Sequence, residues 1–520
     1  MAAPAPAPLP VGLGIEIDRS VRLADEGHVL VGGSPPSALR LSPEGVSAVI
    51  RWLSGAAPDS PGERGIARAL VEVGLAHPRP SARVPVPEVR VVVVGGGRHD
   101  DLESTLDHLG NEHPNLRPRV VGTTCLGARV ARARGLSVVP GPLTDAEALE
   151  AALGADDTPV VALLEAGARP APGWLAAALG HFADPAVAAV VPRVLSERVL
   201  SGPLGMSVAS LDASAADRGP DPARIDAFGA AEAHAPPPAL LLRRGPAAPG
   251  PDPGPATAVE LLRRLCERGW SVRYEPRSRV YVPPRTRLGP YLSSRFEVGA
   301  TVGALARQHG GRGSGPELPV SGVLGLGLAL LGRPVAGLAV YGLAAMVVAE
   351  RLARDTGVPV RHTLGPVAAD LARTSGEAAR FARTTHWPLT AAVAVGGAAL
   401  RSRRRSAAAG RGGAVAKTVA PGLGALAAAA VLTVPHLLSW RRRHGAAPVG
   451  PLMWTGLAVA GDAARSCGTW WGAVRSGSAA SLVPRVRPPV SAVSLESVQV
   501  VEGTDGPVRK SRAGLVLSPS

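Results

Sequence analysis

Between residues 88 and 285 short apolar runs alternate with helical patterns, and this alternation restricts the fold more than any other feature. "VRVVVV" (Val89–Val94) stops at Gly95-Gly96-Gly97, and Leu102, Leu106 and Leu109 then mark a helix. "RVV", "LSVVP", "PVVALL" and "AVAAVVP" follow, separated by "LGARVARARG", "TDAEALEAALG" and "GWLAAALGHF". Strands this apolar are covered on both faces, so the pattern predicts an α/β fold with a largely parallel sheet. Such sheets bind ligands beyond the carboxyl ends of their strands. That rule gathers Gly95–Asp100, Gly122–Cys125 and Glu165–Arg169 around one crevice. Further on, "TAVELLRRLCERGWSVRYEP" reads as a helix burying Leu261, Leu262, Leu265 and Cys266, a Gly269 stop, and a strand.

The chain is too long for one compact unit. Residues 1–14 are Ala/Pro-rich and expected to be disordered. Residues 15–80 read as a small α+β unit. "RSVRLADEGHVLVGGSP" suggests two strands around a turn, and "LSPEGVSAVIRWLSG" a helix capped by Ser42 with Pro43 at its first position. Val46, Val49, Ile50 and Leu53 are its expected apolar face. "GIARALVEVG" gives a second helix and "LAHPRP" an extended exit. Residues 318–460 hold apolar segments broken by arginines, and 476–520 are expected to be a disordered tail.

Charge sorts the partners. Between Thr286 and Ala480 there are 22 basic and 7 acidic residues, which accounts for the whole net charge of +15. Basic residues interleaved with apolar runs fit an anionic membrane surface. No nucleic-acid recognition motif is present, and aromatics for stacking bases are few, so nucleic acid is not an expected partner. Only Thr418–Trp440 reaches the length needed to cross a bilayer, and it is mostly Ala and Gly. Leu318–Gly332 and Pro334–Ala349, joined by one Arg-Pro, suit a hairpin or ordinary packed helices. Three scattered cysteines indicate neither a disulfide framework nor a zinc site. The N-terminus lacks the basic and apolar regions of a signal peptide.

Two resemblances follow. Residues 15–80 resemble the PqqD-like winged-helix fold, which implies recognition of a peptide. "LLEAGARPAPGWLAAALGHFADPAVAAVVPRV", "APPPALLLRRG", "RRLCERGWSVRYEP" and "RTRLGPYLSSRFEVGA" together resemble the family 2 glycosyltransferases of GT-A type. More specifically they resemble those of mycofactocin biosynthesis, over about residues 15–445. The resemblance implies a PqqD-like domain at 15–80, a GT-A-like domain at 85–310 and a basic, apolar, helical membrane-associated region at 318–460. It also implies a cytoplasmic transferase part at the cell membrane. The implied activity moves a hexose from a sugar nucleotide to a small peptide or peptide-derived redox cofactor, with divalent Mg²⁺ or Mn²⁺.

The chain departs from the family at its chemical positions. The metal-holding Asp-x-Asp corresponds to Glu165 and Gly167, so Glu165 is the candidate metal ligand and the second carboxylate is absent. The Glu-Asp pair that supplies a catalytic base corresponds to Thr257 and Ala258. Glu260 is the next acid, and Thr257-x-x-Glu260 is equally a capping box. Asp100 and Asp101 are candidate donor-binding residues, although acids in a first helical turn also suit the dipole. Arg285 and Arg287 could clamp a diphosphate or meet lipid headgroups. A scaffold without its usual acids leaves two readings, an altered enzyme or a non-catalytic binding protein.

Overall fold

The apolar alternation folds as its periodicity requires. The computed structural model describes residues 7–33, 36–81, 87–95, 99–154, 157–226, 237–248, 257–308, 317–409, 421–443 and 448–487. The first unit contains β1 (Leu13–Ile17), β2 (Arg22–Ala24), β3 (Val29–Gly32), β4 (Ser37–Arg40), α1 (Pro43–Leu53), α2 (Pro61–Glu72) and β5 (Ala76–Pro80). β1 pairs antiparallel with β5, and β2-β3-β4 form a separate antiparallel sheet. Ser42 caps α1 by accepting from Gly45 N, as its position suggests. The buried face of α1 is Gly45, Ala48, Val49 and Trp52, while Ile50 and Leu53 are exposed. The expected face is therefore rotated, because Trp52 supplies more apolar area than either neighbour. Residues 7–14, expected to be disordered, pack on this unit. Leu9 is buried, and Arg68 Nε donates to the Ala7 carbonyl at 2.7 Å.

The second unit contains β6 (Val89–Val94), α3 (His99–Glu112), β7 (Arg119–Thr123), α4 (Cys125–Ala133), β8 (Val138–Pro140), α5 (Asp145–Leu153), β9 (Val160–Glu165) and β10 (Arg169–Pro170). It continues with α6 (Trp174–Leu179), β11 (Val187–Ser196), α7 (Pro203–Ala216), β12 (Ala223–Ile225), β13 (Ala239–Arg243), α8 (Arg244–Ala247), α9 (Ala258–Glu267) and β14 (Ser271–Val282). These strands form a nine-stranded sheet ordered β10-β14-β11-β13-β9-β6-β7-β8, with β12 beside β14. β6, β7, β8, β9, β11 and β14 run one way; the short β10, β12 and β13 oppose them. The sheet is mostly parallel within a mixed α/β fold. Val91 and Val93 enter one core and Val92 the other, so the run of valines is apolar because both faces are covered.

The remaining described residues are mainly helical: α10 (Leu288–Gln308), α11 (Val320–Leu330), α12 (Pro334–Thr356), α13 (Val360–Thr384), α14 (Trp387–Ala409), α15 (Pro421–Arg443) and α16 (Pro451–Ser476), with β15 (Glu317–Pro319) pairing parallel with β16 (Arg485–Arg487). That pairing orders the start of the expected tail; residues 488–520 lie outside the described residues.

The first unit is wedged between the other two. Ala24, Val29, Val31 and Ala38 pack against Ala345, Ala349, Leu352 and Val367 of α12 and α13. On its other side Arg68 of α2 makes a two-pronged, buried ion pair with Asp184, both contacts 2.8 Å. Nearby, buried His181 contacts Glu275 at 2.8 Å. Burial alone would raise the Glu275 carboxyl, but hydrogen bonds from His181 and Arg277 override it and hold the group down to about 2. A carboxyl depressed this way stabilises the fold above its unfolded pKa of about 4.3 and loses that contribution as pH falls. Glu275→Gln is therefore expected to flatten the loss of stability between about pH 4.3 and about pH 2. Urea unfolding across that range checks it, and an unchanged slope would reject the assignment.

Candidate active site at the strand ends

The crevice forms where β6, β7 and β9 end together. Val94 and Glu165 are register partners, and Gly95 N donates to Val121 O at 2.8 Å. After Glu165 the chain turns sharply. Ala166 N donates to Val94 O at 2.9 Å, and Gly167 N to Asp101 O at 3.1 Å. Fully buried Thr105 secures this turn to α3: its hydroxyl accepts from Gly167 N at 2.8 Å and lies 3.0 Å from Ala168 O. Gly167 has φ +97°, a conformation that L side chains rarely adopt. A Cβ placed there would stand 3.6 Å from Asp101 Cβ and 3.9 Å from its carboxyl carbon. Asp101 thus faces the position of the missing second acid.

Glu165 ends β9 as an exposed residue, yet protein crowds its carboxyl. That crowding raises its pKa; Arg285 opposes the shift, and Asp145 and Asp101 add to it. The charges of Arg285, Asp145 and Asp101, from three other segments, thus all act on Glu165. Arg285, just after β14, is held by Asp212 of α7, which accepts from Arg285 N at 3.0 Å and lies 3.4 Å from the guanidinium. Arg287 is exposed two residues further on.

Other candidates separate. Asp100 lies on the outer side of α3, where it lines an open groove of about 500 Å³ with Glu103, Asp107, His108 and Arg169. Glu260 is buried and pairs with Arg264 on its own helix, while its backbone N–H donates to Thr257 Oγ1 at 3.2 Å. Its carboxylate is engaged by Arg264 in the last turn of α9, so only the Thr257 half of the expected capping box is formed. Gly96, Gly97 and Arg98 lie outside the described residues.

Asp145 and Asp212 were not singled out by sequence. Asp145 is legible there only as a helix start after Thr144, and Asp212 lies in an Ala/Ser-rich helix with little apolar periodicity.

The fit of a divalent metal is limited. Among the described residues no three or more His, Cys, Asp or Glu side chains are grouped to hold one. Gly167 offers no ligand, and burial raises the pKa of Glu165, so its ionised form costs more than that of an exposed carboxylate. The residues present do not make a protein-held metal site.

No protein-family model matches the chain. A pre-mycofactocin glycosyltransferase, found in two strains of Mycobacterium tuberculosis, is 28% identical over 501 residues, covering 91% of this chain and 97% of that protein. Over nearly its full length the chain is similar to the pre-mycofactocin glycosyltransferase. Among solved structures, a Pyrobaculum calidifontis mannosyltransferase bound to GDP-Man and Mn²⁺ is 16% identical, with 74% of this chain and 88% of that one covered, at a TM-score of 0.35. A Mycobacterium tuberculosis glucosyl-3-phosphoglycerate synthase bound to Mn²⁺, UDP and glucosyl-3-phosphoglycerate is 18% identical, covering 44% and 83%, at a TM-score of 0.29. Both likenesses are too distant to add to the fold described above. The similarity to the pre-mycofactocin glycosyltransferase spans all three units.

Proposed function

We propose that this protein is a glycosyltransferase of mycofactocin biosynthesis, moving a hexose from a sugar nucleotide to a peptide-derived redox cofactor. The near full-length similarity to a pre-mycofactocin glycosyltransferase carries the reading. The crevice supplies its chemistry. Arg285, oriented by Asp212, meets the donor's diphosphate through charge-assisted hydrogen bonds. Asp101 and Asp145, whose charges act on Glu165, would receive donor hydroxyls. Arg287, exposed two residues beyond Arg285, would add a second cationic group. A divalent ion, if it serves, comes with the donor's own phosphate oxygens rather than on a preformed protein set. The first 80 residues would present the peptide, and the apolar helices would hold the protein on the cytoplasmic side of the cell membrane.

Incubating the full chain with UDP-glucose and a peptide-derived acceptor tests the activity; the expected product is heavier by one hexose. Unchanged acceptor in the presence of bound donor would favour the second reading, a pseudo-glycosyltransferase that binds a peptide or partner. Gly167 and the committed carboxylate of Glu260 support that second reading.

The charge of Glu165 gives a pH signature with a definite sign. Its raised pKa means that protonation, as pH falls, removes a negative charge beside the diphosphate. Donor affinity without added metal is expected to rise as pH falls toward and through the raised pKa of Glu165, and Glu165→Gln is expected to abolish that rise. Calorimetric titration at each pH measures it. Affinity that weakens with acidity would mean that Glu165 acts as an ionised ligand instead.

A further inference from the structure

We propose that the C-terminal helices embed in one leaflet of an anionic bilayer without crossing it. This rests on the membrane association proposed above. Two antiparallel hairpins make the embedding unit. In the first, α11 and α12 meet closely: the Tyr341 hydroxyl donates to Gly322 O at 3.1 Å, and the turn is Leu331-Gly332-Arg333. The second joins α14 and α15, and Gly424 of α15 packs on the backbone of Leu330 and Gly332 at the tip of the first.

Both hairpins begin and end against the rest of the protein. Arg40 of the first unit donates to Thr356 O at the end of α12. Ser466 and Trp470 donate to Thr385 O just before α14, at 2.7 and 2.8 Å. Arg443 at the end of α15 donates to Ser210 O of α7 at 3.2 Å.

The outer surface between base and tip is apolar. The most apolar 18-residue stretches of α12 and α15 each have a mean hydropathy of 1.6 and are mostly unburied. Leu338, Leu343, Met346, Leu426, Leu437 and Leu438 are exposed on them. Arginines bound this surface at both ends. Arg333 is at one tip, Arg401, Arg403, Arg404 and Arg405 lie in the last turns of α14, and Arg351, Arg354, Arg441 and Arg442 lie near the base.

Length and charge decide how this surface sits. α11 is about 16 Å long and the apolar run Trp387–Leu400 about 21 Å, whereas a hydrocarbon core is about 30 Å thick. Each hairpin therefore has one arm too short to cross. Insertion halfway would leave five arginines near the bilayer centre, at a cost of several kcal/mol each. Complete crossing would carry an arginine-rich tip to the outer face, against the positive-inside bias. Lying along the surface removes both conflicts: apolar faces enter the acyl region, and arginines at both ends meet anionic headgroups of the same leaflet.

The test uses the full chain in bacterial membranes, with Cys125, Cys266 and Cys467 replaced by serine. R333C and R404C are expected to escape a membrane-impermeant maleimide added to spheroplasts, and to be labelled in inverted vesicles. Labelling of either from outside would establish a crossing and overturn the proposal. Protection on both sides would place the tips in the bilayer interior and overturn it equally. Recovery of the chain in the soluble fraction would remove the membrane association itself, a separate failure.

Discussion

Arg68→Leu is expected to destabilise the protein by roughly 3–5 kcal/mol, the usual effect of stranding one member of a buried ion pair. Asp184 is almost wholly buried and receives both prongs of the Arg68 guanidinium. The leucine variant leaves that carboxylate without its partner in a place water does not reach. Asp184→Ala should be similarly damaging, because it leaves a buried guanidinium. The double variant should lose much less than the two single losses summed, since each single change strands the other group. Equilibrium unfolding in urea measures all three. Additive losses would mean that the pair contributes nothing as a pair and that the first unit is held to the sheet by apolar packing alone.

Arg285→Gln is expected to weaken donor binding by about 10–100-fold, the worth of one charge-assisted hydrogen bond of 1.5–3 kcal/mol. The side chain is half exposed, so its loss should leave the fold's stability nearly unchanged. Asp212→Asn should produce a smaller loss through the same group, because Asp212 orients the backbone and guanidinium of Arg285 without reaching the crevice centre itself. Calorimetric titration with UDP-glucose reads both. An Arg285→Gln protein that binds donor as well as the parent would move the diphosphate elsewhere in the crevice.

Sequence makes the sheet legible because valine runs such as Val89–Val94 are buried on both faces and leave a continuous apolar signal. It hides β13, whose "ALLLR" lies in a Pro-rich stretch and runs against its neighbours. It also hides α7, whose alanines and serines give no strong apolar stripe, and with it Asp212. Asp100 and Asp101 are indistinguishable by pattern, since neighbouring residues on a helix differ by 100° and only packing decides which faces the turn. Here Thr105 and the tight turn at Gly167 decide for Asp101. The capping spacing of Thr257 and Glu260 is local, needs no tertiary partner, and is legible for that reason.

The crevice lined by Glu165, Asp101, Asp145 and Arg285 is expected to hold a sugar nucleotide. Calorimetric titration of the full chain in detergent with UDP-glucose, once in EDTA and once with Mn²⁺, tests it most directly. Saturable binding to a single site that survives EDTA is the predicted result. No binding at millimolar donor in either buffer, from protein shown to be folded, would contradict the account.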